Sequence, residues 1–223
     1  PGSGESKIGP ATGGHGVSVR MDIELERFGL AQAPGPGFWE TLGELLPGRQ
    51  RPIDNLQVEI TTRCPGRCTY CPHTRLAHRW QTADMPPQTF GRLWPLLRRS
   101  QRVHLQGWGE PLLHDDFFAM AALARRAGCA VSTTTCGLAL GEEQALRLVT
   151  SGLDIVAFSL TGTDPASNAA RRGVGFERVT AAVETLQRVR RARQAVHLEI
   201  HVAYLLLASA LEAVRGLPAL MQR

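Results

Sequence analysis

Three of the five cysteines in this 223-residue chain lie on one short segment, at Cys64, Cys68 and Cys71. Their spacing is C-x3-C-x2-C, and thiolates are soft ligands suited to iron–sulfur clusters and to zinc. Three thiolates on one loop can hold three corners of a cubane cluster and leave the fourth iron open to a small molecule. With His73 as a fourth ligand, the same segment would instead form a structural Cys3His zinc site. The spacing therefore predicts a metal centre and leaves these two kinds open.

A second segment combines two glycines with a carboxylate, in the order Gly107-Trp108-Gly109-Glu110-Pro111. Glycine lets a backbone approach a ligand closely. A carboxylate can accept charge-assisted hydrogen bonds from an ammonium group. The segment is therefore a candidate binding loop, and the alternative is a turn with a solvated glutamate.

The elements that must position these segments alternate between strand and helix. The patterns predict strands over Leu56–Thr61, Arg102–Gln106, Ala130–Thr135, Ile155–Leu160 and within Val196–Leu207. They predict helices over Pro87–Arg99, Asp116–Ala127, Gly141–Ser151, Phe176–Arg193 and Leu211–Met221. Strand followed by helix, five times, indicates an α/β fold of parallel strands joined by right-handed crossovers.

Parallel sheets of this kind bind ligands outside the carboxyl ends of their strands. The loops at that edge should begin near residues 62, 107, 136, 161 and 208. The first two of these loops are the cysteine segment and the Gly-x-Gly-Glu-Pro segment. The architecture therefore brings both segments to one edge of the sheet.

The cysteine spacing, with aromatic Tyr70 before the third cysteine, resembles the signature of the radical S-adenosylmethionine (radical SAM) superfamily. The chain resembles the core domain of its SPASM and molybdenum-cofactor-biosynthesis branch. This implies a partial parallel (βα) barrel, of which five of the six βα units are present. It also implies a [4Fe-4S] cluster on the three cysteines and S-adenosylmethionine on the open iron. The family cleaves that cofactor reductively to a 5′-deoxyadenosyl radical, which abstracts hydrogen from a substrate.

The resemblance also assigns side chains to the cofactor site. Gly109 and the region of Glu110 would hold the methionyl amino group. Thr134 and Ser159 would lie near the ribose, with Tyr70 beside the cluster. Arg172 is either a clamp on the methionyl carboxylate or a surface residue before a glycine turn. The implied partners are an electron donor such as flavodoxin or ferredoxin and an unidentified substrate of the peptide or protein class.

Three positions depart from the family pattern. Cys136 stands in the usual place of Asn, Thr161 in that of Asp, and Ala210 in that of Asn. The default interpretation of Cys136 is a packed small side chain. Because of these departures, two alternatives to an active enzyme stay open. One is a zinc- or cluster-bearing module without catalysis, and the other is a degenerate family member.

The ends of the chain differ from its middle. Residues 1–20 are rich in Gly, Ser and Pro and predict a disordered or non-native tail. Residues 21–52 predict an N-terminal helical segment, with a helix over Phe38–Leu46. Residues 53–223 form the predicted radical SAM core, which we expect to be truncated at its C-terminus.

Composition limits the compartment and the partners. An odd number of cysteines, three of them clustered, argues against a disulfide framework and for a reducing, cytoplasmic compartment. No apolar run is long enough to span a bilayer. The net charge is +5, and Lys7 is the only lysine, so arginine carries nearly all the positive charge. A nucleic-acid surface is not favoured, because no aromatic residues are interleaved with the arginines.

Overall fold

The computed structural model describes residues 24–30 and 51–222, and its centre is one parallel sheet of five strands. The strands are β1 (Ile53–Val58), β2 (Ser100–Leu105), β3 (Ala130–Thr135), β4 (Ile155–Leu160) and β5 (Glu199–Tyr204). They lie side by side in chain order, and every neighbouring pair is parallel. The predicted α/β architecture with five βα units is confirmed.

Helices connect the strands. The α-helices are α1 (Pro72–Arg75), α2 (Pro87–Gly91), α3 (Trp94–Leu97), α4 (Phe117–Arg126), α5 (Glu142–Thr150), α6 (Phe176–Ala192) and α7 (Leu217–Met221). Short 3-10 helices lie at Leu25–Phe28, Ala77–Arg79, Pro111–Leu113 and Ala208–Gly216, the last kinked at Ala210.

Three predicted elements differ from those observed. One is the helix over Leu211–Met221, because a 3-10 helix extends to Gly216 and only Leu217–Met221 is α-helical. The first strand ends at Val58 rather than Thr61, because residues 60–62 pair with a different segment: the Met85 N–H donates to the Ile60 carbonyl over 2.8 Å, and Thr61 forms an antiparallel bridge with Asp84. The predicted helix over Pro87–Arg99 is broken into α2 and α3. Pro95 lies in the second piece, and proline has no N–H to donate back to the preceding turn.

The two faces of the sheet differ in chemistry because side chains alternate along each strand. Val103, Leu105, Val131, Val156 and Phe158 are buried in the core together with apolar residues of α4, α5 and α6. The other face carries polar side chains at its centre.

A hydrogen-bond network at the centre of this polar face joins β2 to β3. The His104 ring bonds to the Ser132 hydroxyl and to the Gln106 amide, each over 2.8 Å. The face of the sheet opposite the core therefore carries a hydrogen-bonding network at its centre.

Several predictions fall outside the described residues. The tail over residues 1–20 and the helix over Phe38–Leu46 both lie there. Of the predicted N-terminal helical segment, the structure describes the short 3-10 helix at Leu25–Phe28, in which Phe28 is buried against Phe90. Among the described residues, no helix has the length and apolar character needed to cross a bilayer.

Candidate cofactor site

The three cysteines lie on the loop between β1 and α1, wrapped around Gly66. A Cβ added at Gly66 would stand 3.5 Å from the Cys64 sulfur, 3.6 Å from the Cys68 sulfur and 3.2 Å from a methyl group of Val174. The third cysteine, Cys71, precedes α1, and its carbonyl accepts hydrogen bonds from the first turn of that helix. All three thiols are free and half-buried. The loop therefore closes around a buried glycine and leaves its sulfurs available.

The electrostatics of the loop disfavour negative charge on the first thiol. Burial raises the pKa of Cys64 to about 11, although a hydrogen bond from the Gly66 backbone acts in the opposite direction. The neighbouring Glu110 carboxylate and the other two cysteines raise the pKa further. Cysteine binds metals as the thiolate, so a cationic centre is the partner that would relieve this repulsion. The donor set fits an iron–sulfur cluster.

A second loop, which follows β4, supports the cysteine loop from behind. The Arg67 N–H donates to the carbonyl of Arg172 over 2.7 Å, and the Thr69 N–H donates to the carbonyl of Ala170 over 2.9 Å. Thr161 organises this second loop: its N–H and hydroxyl both donate to the Asn168 side chain, over 3.0 and 3.2 Å. The residue in the usual place of Asp is therefore a buried structural group.

Arg171 is the cation inside the site. Only 5% of it is exposed, and one guanidinium nitrogen donates to the Ser159 hydroxyl over 2.7 Å and to the Tyr70 hydroxyl over 3.1 Å. Its Nε is buried without a hydrogen-bond partner. An unpaired buried donor is costly, and a guanidinium fork suits a carboxylate. The site therefore contains a donor that fits an anionic group of a cofactor.

The neighbouring residues Arg171 and Arg172 differ in exposure. The predicted Arg172 is exposed, and only its backbone carbonyl contacts the cysteine loop. The predicted Tyr70 and Ser159 do come together, and Arg171 joins them. The Arg-Arg pair was visible in the sequence, but which of the two points inward depends on the turn before Gly173, whose φ is +78°.

Tyr70 is held as a neutral phenol. Burial raises its pKa to about 12, outweighing the Arg171 guanidinium, which lowers it, while nearby Cys68 raises it. Tyr70 therefore links the second loop to the sulfur side of the site as a hydrogen-bonding group.

The Gly-x-Gly-Glu-Pro segment packs directly against the start of the cysteine loop. A Cβ at Gly109 would fall on the carbonyl oxygen of Thr61, so only glycine fits there. The Glu110 N–H donates to the carbonyl of Arg63 over 2.7 Å. The two segments that the sequence brought to one edge are therefore in contact.

The carboxylate of Glu110 faces the end of β3. The residue is 2% exposed; one oxygen accepts from the Thr135 hydroxyl and the other from the Cys136 N–H, each over 2.6 Å. The resemblance placed the methionyl amino group in the region of Glu110. Both carboxylate oxygens of Glu110 already accept hydrogen bonds from donors of the protein. Cys136 itself is buried, and burial together with the Glu110 carboxylate raises the pKa of its thiol.

Sequence reasoning missed Glu59, which follows β1. One oxygen of its carboxylate accepts from the Trp108 N–H over 2.5 Å and from the Gly109 N–H over 3.3 Å. A Cβ at Gly107 would meet this same side chain. The sequence did contain a signal for this residue: a carboxylate stands between the apolar Val58 and Ile60, in a stretch where buried and less buried side chains alternate. Glu59 fixes the backbone of the glycine loop.

Two other candidate residues lie elsewhere. Thr134 is buried, and its hydroxyl bonds to His104 over 3.2 Å on the polar face of the sheet. His73 packs its ring against Trp80 at 5.1 Å between centroids, nearly perpendicular. Within residues 24–30 and 51–222, no three His, Cys, Asp or Glu side chains converge to hold a single metal ion. A cubane cluster takes its thiolates on separate irons, so it does not need such convergence.

A family model decides the classification. The model described as the radical SAM superfamily matches residues 58–202, from the end of β1 to within β5. The chain belongs to the radical SAM superfamily. The resemblance in the cysteine motif and the prediction of a [4Fe-4S] cluster and S-adenosylmethionine as cofactors are confirmed.

Individual relatives fall in the same branch of the radical SAM superfamily. The chain is 36% identical over 154 residues to GTP 3′,8-cyclase of Synechococcus sp. (strain CC9902), a match covering 63% of this chain and 41% of the relative. It is 32% identical over 134 residues to PqqA peptide cyclase of Streptomyces rochei, covering 59% and 36%. The chain therefore matches well under half the length of these curated relatives.

The fold agrees with the radical SAM assignment. The structure of Streptococcus suis SuiB bound to S-adenosylmethionine superposes with a TM-score of 0.59 at 16% identity, covering 75% of this chain and 37% of SuiB. At that identity the likeness concerns the fold, a partial barrel of parallel strands. The roles of individual residues rest on the geometry described above.

Proposed function

We propose that this chain is the catalytic core of a radical SAM enzyme in which Cys64, Cys68 and Cys71 hold the cluster. The observation that carries the proposal is the closed loop around Gly66, with two sulfurs 3.5 and 3.6 Å from the position of a Cβ and the third at the start of α1. A cluster held there would supply the electron for reductive cleavage of the C–S bond of S-adenosylmethionine, and the resulting 5′-deoxyadenosyl radical would abstract hydrogen from the substrate.

Arg171 is the proposed clamp for the methionyl carboxylate. Its Nε is a buried donor without a partner, and its Nη1 already donates to the hydroxyls of Tyr70 and Ser159. A guanidinium held rigid by two hydroxyls loses little freedom when it binds an anion, so more of the interaction energy is realised as affinity. This proposal replaces the exposed Arg172 with its neighbour.

The Gly107–Glu110 segment is the proposed support for the amino end of the cofactor. Gly109 packs on the Thr61 carbonyl and so fixes the segment beside the cysteine loop, and Glu59 and Glu110 hold the segment from two sides. In this proposal the two carboxylates orient the loop rather than move protons. Thr134 lies deeper, on the polar face, where it is a candidate contact for the ribose or the substrate.

A peptide or protein is the proposed substrate class, and an external low-potential donor such as flavodoxin or ferredoxin is the proposed reductant. The name of the Streptomyces rochei relative supports the substrate class, since it describes a peptide cyclase. The hydrogen-bonded network of His104, Gln106 and Ser132 is chemically suited to amide groups, which donate and accept hydrogen bonds. The enzyme's compartment is proposed to be the reducing cytoplasm.

The test is anaerobic reconstitution with iron and sulfide, reduction with dithionite, and assay of 5′-deoxyadenosine formed from S-adenosylmethionine. We expect a cluster and cleavage in the native chain, and neither in C68A. The matched control is C129A, because Cys129 is buried at the opposite edge of the sheet, with its sulfur 3.0 Å from the Leu97 carbonyl. Bound zinc without a cluster, or iron retained in C68A, would overturn the ligand assignment.

A further inference from the structure

The chain around the cysteines is strongly cationic. Residues 60–83 contain four arginines and two histidines, and no aspartate or glutamate. Arg63 pairs with Asp84 over 2.8 Å and donates to the carbonyl of Leu113, so its charge is engaged within the protein. The other three, Arg67, Arg75 and Arg79, are exposed, and we define them as the arginine rim.

The arginine rim is attached to the cysteine loop. Arg67 lies between Cys64 and Cys68, and the Arg75 guanidinium donates to the carbonyl of Thr69 over 3.5 Å. Arg79 ends the 3-10 helix that follows α1. Within the described part of the chain, no carboxylate forms an ion pair with any of the three. Exposed Arg172 adds a further cation beside Arg67. The positive charge of the rim is therefore open to an external partner.

We propose that the arginine rim is the docking surface for an acidic electron-transfer protein, a proposal that rests on the proposed function. Each reductive cleavage consumes one electron, so a donor must be oxidised by one electron while the cluster is reduced by one. The donor has to approach the loop that holds the cluster, and the rim lies on that loop and on the two short helices that follow it. Clustered charge of one sign steers an oppositely charged protein and raises its association rate.

A nucleic acid is the less suitable partner for this surface. Binding of unpaired bases needs exposed aromatic faces for stacking. Tyr70 and Trp80 are the aromatic residues of the segment, and both are half-buried with their polar atoms bonded within the protein, to Arg171 and to the Thr62 carbonyl. Electron-transfer encounters, by contrast, use small interfaces in which a few charges suffice.

The experiment compares two triple variants of the reconstituted protein. One changes the rim, R67Q/R75Q/R79Q. The control, R99Q/R126Q/R191Q, removes the same charge from exposed arginines that precede β2, β3 and β5, at the opposite edge of the sheet. Stopped-flow absorbance measures cluster reduction by reduced flavodoxin at low and high salt, and by dithionite, which needs no docking surface. Iron content and S-adenosylmethionine affinity are measured alongside.

At low salt we expect flavodoxin to reduce the rim variant about tenfold or more slowly than the native chain, with most of the salt dependence lost. The control variant should stay within about twofold, and dithionite should reduce all three proteins alike. Equal rates with flavodoxin, equal losses in both variants, or a parallel loss with dithionite would overturn the proposal. Rim-dependent binding of a single-stranded RNA oligonucleotide, with flavodoxin rates unchanged, would assign the rim to nucleic acid. A native chain that forms no reducible cluster refutes the proposed function instead.

Discussion

The Glu110 carboxylate and the Thr135 hydroxyl, 2.6 Å apart, join the loops that follow two neighbouring strands. Glu110 also accepts from the backbone N–H groups of Cys136 and Leu112, so one buried side chain holds three donors at the carboxyl edge of the sheet. A motif that resemblance assigns to cofactor binding is therefore also part of the packing of the edge. Changes at Glu110 should affect stability before they affect chemistry.

Replacing Glu110 by Ala should lower the free energy of unfolding by about 1–3 kcal/mol, because the Cys136 N–H would be left buried without an acceptor. The Thr135 hydroxyl can rotate, but the backbone N–H cannot. Urea unfolding of the apo chain measures the change. The control is E212A, whose exposed ion pair with Arg215 contributes about 0.5 kcal/mol or less. Equal stability of E110A and E212A would refute the role of Glu110 as a buried acceptor.

The two adjacent arginines give a matched pair for the carboxylate clamp. R171M should weaken S-adenosylmethionine binding roughly 10- to 100-fold, since a charge-assisted hydrogen bond contributes about 1.5–3 kcal/mol. R172M removes an exposed side chain and should change the affinity by less than about twofold. Isothermal titration of the reconstituted protein measures both, with iron content as the check on cluster loading. The reverse ranking would return the clamp to Arg172.

Glu59 should act through the two N–H groups that it holds. E59A removes the acceptor, so the amides of Trp108 and Gly109 should lose protection from hydrogen exchange. E59Q keeps a carbonyl oxygen that can accept from both amides and should retain most of that protection. E199A, a change of the same kind on β5, is the control. If E59Q and E59A lose S-adenosylmethionine affinity equally, the charge of Glu59 acts directly on the ligand.

Asp84 gives a prediction for pH. Although partial burial opposes the shift, hydrogen bonds from Thr61 and Arg63 hold the pKa of its carboxyl below the usual range. Because the folded-state pKa is lower than the unfolded value of about 3.9, the stabilisation is present above that value and is lost as pH falls through the folded pKa. The stability gap between the native chain and D84N should therefore be constant near neutral pH and shrink in acid. Urea titrations at a series of pH values measure it, and a gap that is independent of pH would contradict the linkage.

Local patterns predicted the frame of the site well. β3 and β4 have the predicted bounds, since each is a short apolar or β-branched run between turn residues. The cysteine and glycine segments meet where parallel-strand topology requires. What the patterns could not predict depends on contacts distant in sequence: the early end of β1 follows from pairing of residues 60–62 with 83–85.

The side chains of the site show the same difference between what local sequence predicts and what depends on contacts distant in sequence. Ser159 and Tyr70 were predicted through the family resemblance and contact each other through Arg171, but a turn decides that Arg171 rather than Arg172 lies inward. Glu110 was predicted as a candidate from its residue type. The sequence could not show that its carboxylate faces β3, because the Cys136 N–H and the Thr135 hydroxyl come within reach only when β2 and β3 are adjacent. Glu59 belongs to no spacing pattern, and its function is visible only from the loop that it holds.

The contact between Tyr70 and Arg171 joins residues 101 positions apart. During synthesis the cysteines therefore emerge from the ribosome long before the loop that supports them. A cluster delivered to the nascent chain would meet three thiols without the backbone carbonyls of Ala170 and Arg172 behind them. We therefore expect the metal centre to form after translation has passed β4, when the carbonyls of Ala170 and Arg172 are in place behind the cysteine loop.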